Sequence, residues 1–457
     1  MEGGDHFRTL DQRRNDGMRK RRELPPERQF QPTGNRDDPI GIIEVQNASR
    51  LPELVPVRIR RMAESPFAFL RGSAAVMAAD LARQPSSGVI TQVCGDAHLS
   101  NFGIFGTPER RLAFDLNDFD ETTPAPFEWD VKRLATSVVV AGRANHLRAG
   151  SGAAAARRAV RAYRERIVEL AELPLLDVWH EHIDLDDALS RVRDRGDVPD
   201  VVEAVVRAAG DARTRTNRST LDKVCDRAAD GWRFRHEPPK MLRMPASTGE
   251  AEEVAALYRT YVATLPSEHA VLLRHYRLAD VIRRVSGVGS VGKRGYAVLL
   301  LGERDDDPLF LQLKQAQRSV LEAHVGPGPF ASPAQRVVVG QRLLQAASDE
   351  FLGWMTQPSG SGDWFYVRQL RDFKGEPDVS EMSAEELELY ARLCGWVLAG
   401  AHARAGSAVE IAAYVGDGDE LDGAVEAFAR AGADLVERDH AALLDAVASG
   451  RLHRSDA

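Results

Sequence analysis

Four glycines, Gly287, Gly289, Gly292 and Gly295, crowd between two runs of strand-forming residues that begin near Val281, and Leu309–Leu313 adds a further strand. This glycine-punctuated β segment interrupts a chain that otherwise reads as helix. Before it, Asp130–Leu173 is Ala/Arg-rich with helical spacing, and Leu185–Ala209 and Glu250–Leu265 continue that character. After it, Gln335–Met355 returns to helical spacing, Trp364–Leu370 reads as a strand, and Ala384–Ala405 and Leu421–Ser449 read as helices. The pattern predicts an α+β fold with a helix-rich large lobe and a small β-rich lobe. At 457 residues the chain also exceeds what one compact core usually holds. The expected division is a mobile charged tail over 1–40, the helical lobe over 41–265, the β-rich lobe over 266–376 and helices completing the large lobe over 377–457.

Apolar residues make up 43% and charged residues 28%, enough to build a sizeable core. A net charge of -8 argues against bulk nucleic acid as the main partner, which would need an excess of Lys and Arg. The three cysteines, Cys94, Cys225 and Cys394, are far apart, so neither a disulfide framework nor a zinc site is indicated. The N-terminus carries no apolar leader, and runs such as Tyr296–Leu301 are too short to span a bilayer. A cytoplasmic protein without membrane partners is expected. Met1 to about Pro39, including Arg19-Lys20-Arg21-Arg22 and Pro25-Pro26, shows no apolar period, and order is expected from near Ile42. Phe67–Ala82 reads as a helix, and short strands are expected at Val89–Val93, Phe102–Phe105 and Leu112–Leu116.

Two segments beside those strands carry the chemistry. Gly95-Asp96-Ala97-His98-Leu99-Ser100-Asn101 sets an Asp and an Asn five residues apart on a tight loop. In kinase-type phosphoryl transfer one Asp orients the attacking hydroxyl, and an Asn five positions later holds a metal ion on the phosphates. Asp96 and Asn101 fit those roles, with His98 either in catalysis or bracing the loop. Phe114-Asp115-Leu116-Asn117-Asp118-Phe119-Asp120-Glu121 then gathers four carboxylates at a strand end. Such density calls for a counter-charge, because crowded carboxylates repel one another unless a cation neutralises them. A solvated acidic turn is the structural alternative.

Ser286-Gly287-Val288-Gly289-Ser290-Val291-Gly292-Lys293 has the spacing of a turn whose backbone N–H groups can approach phosphate oxygens. Its partner is Lys314, one of seven lysines, set among apolar residues on the next strand. An ordinary Gly-rich β-turn and an exposed strand lysine are the plain alternatives. Arg71, Arg368, Arg371 and Lys374 could read an anionic acceptor or serve in packing. Trp129 and Trp396 read as core.

Ser65–Gly72, Cys94–His98, Asn117–Glu121, Phe127–Leu134 and Tyr366–Leu370 resemble a bacterial family known as domain of unknown function 2252 (DUF2252), over about residues 45–450. More remotely, Gly95–Asn101 followed by Asp118 and Trp129-Asp130 resembles the core of aminoglycoside and choline phosphotransferases, which share the protein-kinase fold. That resemblance implies ATP and Mg²⁺ as cofactors, Asp96 as catalytic base, Asn101 and Asp118 on the metal with Asp120 and Asp115 as rival ligands, and Asp130 as a buried anchor of the loop. It implies Gly287, Gly289, Ser290, Gly292 and Lys314 on the nucleotide. It also requires a circularly permuted order, since the glycine turn follows Asp96 here. Cys394–Arg404 resembles the helix that leads into the catalytic loop, a place that Phe67–Ala82 could fill instead. A carboxylate for Lys314 is expected on or just before Gln335–Met355, at Glu350 or Glu322. The expected activity is phosphoryl transfer to an unidentified small-molecule or protein acceptor. Nucleotidyl transfer, an inactive nucleotide-binding protein and a metal-dependent hydrolase using Asp96, His98, Asp118 and Asp120 are the alternatives.

Overall fold

The computed structural model describes residues 7–30, 36–181, 183–184, 216–229, 231–285, 287–304, 306–355, 363–370, 375 and 377–455. The fold is α+β, and its apolar interior divides into a helical core and a sheet core. In the helical core, Glu128–Ala144 and Ser151–Ala171 pack with Ala384–Ala405, Ala408–Val415 and Glu420–Ala448. Leu134, Val138, Leu398 and Ile411 are at most 2% exposed. Burying each such side chain contributes about 1.5–3 kcal/mol. Small residues set the closeness of this packing: a Cβ on Gly395 would lie 2.1 Å from the Ala159 carbonyl oxygen.

The sheet core is a six-stranded antiparallel sheet, in the order Gly353–Trp354, Trp364–Gln369, Pro308–Ala316, Gly295–Leu301, Arg277–Arg284, Met241–Leu242. Helix Glu250–Val262 covers one face through Leu257, Tyr258 and Tyr261. Helix Asn217–Val224 and the hairpin Cys225–Phe234 cover the other against Leu299, Leu301 and Phe310. Burial on both faces is why Tyr296–Leu301 reads as one continuous apolar run rather than an alternation. The expected boundary at 265/266 therefore moves: Glu250–Val262 and the segments from Asn217 onward pack on the sheet, not in the helical core.

Smaller strand pairs carry the loops of interest. Ile90–Val93 pairs with Thr123–Pro126, and Phe102–Gly106 with Leu112–Leu116. Helix Pro333–Leu344 bridges the two cores, touching strand Trp364–Gln369 on one side and helix Ala384–Ala405 on the other.

Three expectations change. The expected tail holds a helix, Leu10–Glu23, capped by Thr9 and Gln12 and docked on Ala408–Val415. Its anchors are polar, Lys20 on Glu410 at 2.6 Å and Arg21 on the carbonyls of Tyr414 and Val415, so apolar periodicity gives no sign of it. Phe67–Ala82 is two helices, Pro66–Gly72 and Ala74–Leu81, broken at Ser73. The helix expected over Gln335–Met355 stops at Leu344 and is followed by strand Gly353–Trp354. The stretch Leu185–Ala209 lies outside the described residues. No helix among the described residues is long and apolar enough to cross a membrane.

Candidate active site

The loop Gly95–Asn101 leaves strand Ile90–Val93 and enters strand Phe102–Gly106. Gly95 has φ +82°, and a Cβ there would lie 2.2 Å from the Glu121 carbonyl oxygen, so the glycine lets the two acidic segments touch. The loop is held from below by Asp130, 1% exposed in the first turn of helix Glu128–Ala144, which accepts the N–H groups of Cys94 at 2.6 Å and Gly95 at 2.9 Å. His402, from the last turn of helix Ala384–Ala405, lies 3.3 Å from the same carboxylate. The five-residue spacing closes the loop on itself, because Asn101 Nδ2 donates to the Asp96 carbonyl at 2.7 Å.

Arg133 stands one helical turn beyond Asp130 and so shares its face. Its guanidinium grips Asp96 Oδ1 and donates to the Leu70 carbonyl at 3.0 Å. Burial pushes the Asp96 carboxyl up to about 7 against the pull of Arg133, and Glu121 and Asp118 push the same way as burial. His98, 3% exposed, is held well below its ordinary pKa by burial and then by Arg133 and Arg71, so it stays neutral. Its Nε2 is 3.8 Å from Asp96 Oδ2, and its Nδ1 is buried without a hydrogen-bond partner.

The second segment sorts its carboxylates by position. Asp115 lies inside strand Leu112–Leu116, 4% exposed, where it accepts Ala346 N–H at 3.2 Å and faces Arg404 at 3.5 Å. It braces the packing inside the strand, whereas Asp118 and Asp120 stand beyond the strand end. Beyond the strand end, Asp118, Asp120 and Glu121 meet two lysines. Lys314 Nζ lies 3.1 Å from Asp120 and 3.7 Å from Asp118; Lys293 Nζ lies 3.8 Å from Asp120 and 3.6 Å from Glu121. Tyr366, opposite Lys314 in the sheet register, donates to Asp120 at 2.6 Å. Burial of Asp120 would raise its pKa, but Lys314, Lys293 and Tyr366 together hold it below the ordinary carboxylate range. The partner of Lys314 is therefore this segment, not Glu350, which is exposed, nor Glu322, which pairs with Arg336 at 3.4 Å.

Asp96, His98, Asn101, Asp118, Asp120, Gly287, Gly289 and Ser290 line one pocket. Gly292 and Lys314 stand just behind its wall. The glycine turn is fixed from outside: Arg61 donates to the Gly287 carbonyl, Arg50 to that of Val291, and Leu51 N–H to that of Gly292 at 2.8 Å. Lys293, Arg133 and Tyr366 belong to the site although the sequence pattern assigns them no role, and Glu121, one of the four carboxylates of the acidic segment, joins them. The spacing of Arg133 from Asp130, and the place of Lys293 directly after Gly292, are the signals that could have found the first two. Arg368 faces a different cavity and donates to the Asn117 carbonyl at 2.8 Å, and Arg371 and Lys374 lie outside the described residues. Trp129 is core at 5% exposure, and Trp396 packs at the edge of the helical core under Arg166.

Fold and pocket together define an α+β protein with one cleft of paired carboxylates and lysines beneath a glycine turn. The chain belongs to the family described as "Uncharacterized protein conserved in bacteria (DUF2252)", whose model matches residues 50–446 and so takes in both halves of the cleft. No curated protein and no solved structure matches the chain.

Proposed function

We propose that the protein is an ATP- and Mg²⁺-dependent phosphotransferase with a circularly permuted, kinase-like, two-lobe plan. The observation that carries this reading is that Lys293, lining the pocket with Asp96 and Asn101, pairs with Asp120 and Glu121, while Lys314, from behind the pocket wall, pairs with Asp120 and Asp118. Counted from the glycine turn, Lys314 falls on the strand that follows Gly295–Leu301, and after the short helix Glu322–Val325 comes the longer helix Pro333–Leu344, an order like that in which a kinase small lobe gives its phosphate lysine and then a helix. The permuted order is supported by helix Ala384–Ala405, where the His402 carbonyl accepts the Thr91 hydroxyl and the His402 imidazole lies against Asp130 at the root of the Asp96 loop.

In this reading the N–H groups of the glycine turn and the two ammonium groups bind phosphate oxygens, while Asp96 takes the proton of the acceptor hydroxyl. Arg133 fixes the angle of Asp96, and Asp130 fixes the loop that carries it. Asn101 and Asp118 would hold Mg²⁺, which supplies charge neutralisation on the phosphates when bound. Asp118 suits that role because its side chain is 35% exposed, the most open of the three pocket carboxylates beyond the strand end, whereas Asp120 is already met by three partners.

The test is incubation with Mg²⁺-ATP and a panel of hydroxyl and amine acceptors, read by mass spectrometry. A phosphoryl mass increment that Asp96→Asn abolishes is the expected result. A nucleotidyl increment would move the protein to nucleotidyl transfer, and full turnover by Asp96→Asn would remove the base assignment.

A further inference from the structure

The pocket has a wall that the phosphotransfer reading leaves unused. It is built by helices Pro39–Asn47 and Pro66–Gly72 and the residues that follow them, and it presents Gln46, Arg50 and Arg71 to the same space as Asp96 and His98. Charges elsewhere in the pocket are matched in pairs: Asp96 with Arg133, Asp120 with Lys314, Glu121 with Lys293. Arg50 and Arg71 are not, since neither makes a salt bridge among the described residues, and the Nε of each is buried without a hydrogen-bond partner. Arg50 is 8% exposed. Burial lowers its pKa to about 10, with Glu121 and Asp120 pulling upward.

The wall is also braced. Arg58, fully buried, donates to Asn47 Oδ1, to Gln46 Oε1 at 3.1 Å and to the Gly72 carbonyl at 2.8 Å, tying together the two segments that carry Arg50 and Arg71. The backbone of Arg71 supports the glycine turn, because its carbonyl would lie 3.2 Å from a Cβ on Gly289. A preorganised pair of guanidinium groups that make no salt bridge, beside a neutral imidazole whose Nδ1 has no hydrogen-bond partner, is an anion-binding arrangement.

We propose that this wall is an anion subsite, and that the acceptor is a small anionic alcohol whose carboxylate or phosphate group sits on Arg50 and Arg71 while its hydroxyl faces Asp96. The anion subsite stands on the wall alone; the role of the alcohol rests on the phosphotransfer reading. In that reaction the acceptor oxygen forms a bond to the γ-phosphorus, the bond from that phosphorus to the bridging oxygen breaks, ADP leaves with the electron pair, and the hydroxyl proton passes to Asp96 and on to solvent.

The competing source of anion is the γ-phosphate of the nucleotide itself, and calorimetry separates the two. Inorganic phosphate is titrated into the full chain, alone and saturated with Mg²⁺ and an ATP analogue whose β and γ phosphorus atoms are joined through nitrogen. Saturable phosphate binding is expected in both states, weakened about tenfold or more by Arg71→Gln and by Arg50→Gln. Arg71→Lys, which keeps the charge, recovers affinity to within about threefold of the parent. Thermal melts of each variant check that the fold is kept. Phosphate binding that vanishes once the analogue is bound assigns the arginines to the nucleotide and overturns the acceptor proposal. Phosphate binding that is absent from the parent, or unchanged in both glutamine variants, overturns the subsite. Arg71-dependent phosphate binding in a protein that fails to bind the analogue sustains the subsite and overturns the phosphotransfer reading instead.

Discussion

Asp96 and Asp120 line the same pocket, and both are ion-paired, yet their surroundings drive them in opposite directions. At Asp96, burial and the nearby Glu121 and Asp118 outweigh one guanidinium, and the carboxyl rises to about 7. At Asp120, two ammonium groups and the Tyr366 hydroxyl outweigh burial, and the carboxyl stays ionised far into acid. Surroundings that push two carboxylates apart in this way suit the division proposed for Asp96 and Asp120, proton transfer at one and fixed charge at the other. The comparison also explains why the carboxylate-rich segment is stable: its counter-charge is built into the chain, as Lys293 and Lys314.

The sharpest way to break that division is Asp96→Asn. Turnover is expected to fall about 10²–10⁴-fold with Mg²⁺-ATP affinity held within about threefold, measured by steady-state assay and calorimetry; equal losses in both would show that Asp96 is a binding residue. Lys314→Ala attacks the other side. It leaves Asp120 short of its nearest cation and is expected to cost about 3–5 kcal/mol in urea unfolding, with nucleotide affinity reduced as well. Asp130→Ala strips two buried N–H groups of their acceptor, for a loss of about 2–4 kcal/mol in the same measurement. Unchanged unfolding of Asp130→Ala would mean that the Asp96 loop does not depend on it.

The smallest effect is on pH. Turnover that needs ionised Asp96 rises with pH through about 7. Because Arg133 lowers the Asp96 pKa, Arg133→Gln moves that midpoint upward; a profile that does not move separates the pair. Stability follows the same contrast. The raised Asp96 pKa gives a contribution that is complete below about 4, where the unfolded carboxyl titrates, and is lost as pH rises through about 7. The depressed Asp120 pKa gives one that is present above about 4 and lost as pH falls toward its folded value.

Much of this was legible in the chain itself. Gly287–Gly292 and the apolar run Tyr296–Leu301 reveal the sheet, and the Asp96–Asn101 spacing reveals the loop, because both are local patterns with local causes. What was hidden depends on contacts far apart in sequence. The partner of Lys314 is set by sheet register and by how the strand end after Leu116 lies against it, neither of which sequence spacing carries. Asp115 resembles Asp118 in sequence, yet one is inside a strand and the other beyond its end. Helix Leu10–Glu23 docks through charged side chains, so a search for apolar periodicity passes over it. Arg133 hid in a chain rich in arginine, where its one-turn distance from Asp130 gains meaning only once Asp130 is known to hold the loop.

The account rests on Mg²⁺-assisted nucleotide binding in the cleft, and the direct measurement is isothermal titration of ATP with and without Mg²⁺ into the parent and into Asp118→Ala. The account predicts that Mg²⁺ tightens binding to the parent about tenfold or more and that Asp118→Ala erases that gain. A parent protein that takes up no ATP in either condition would contradict it.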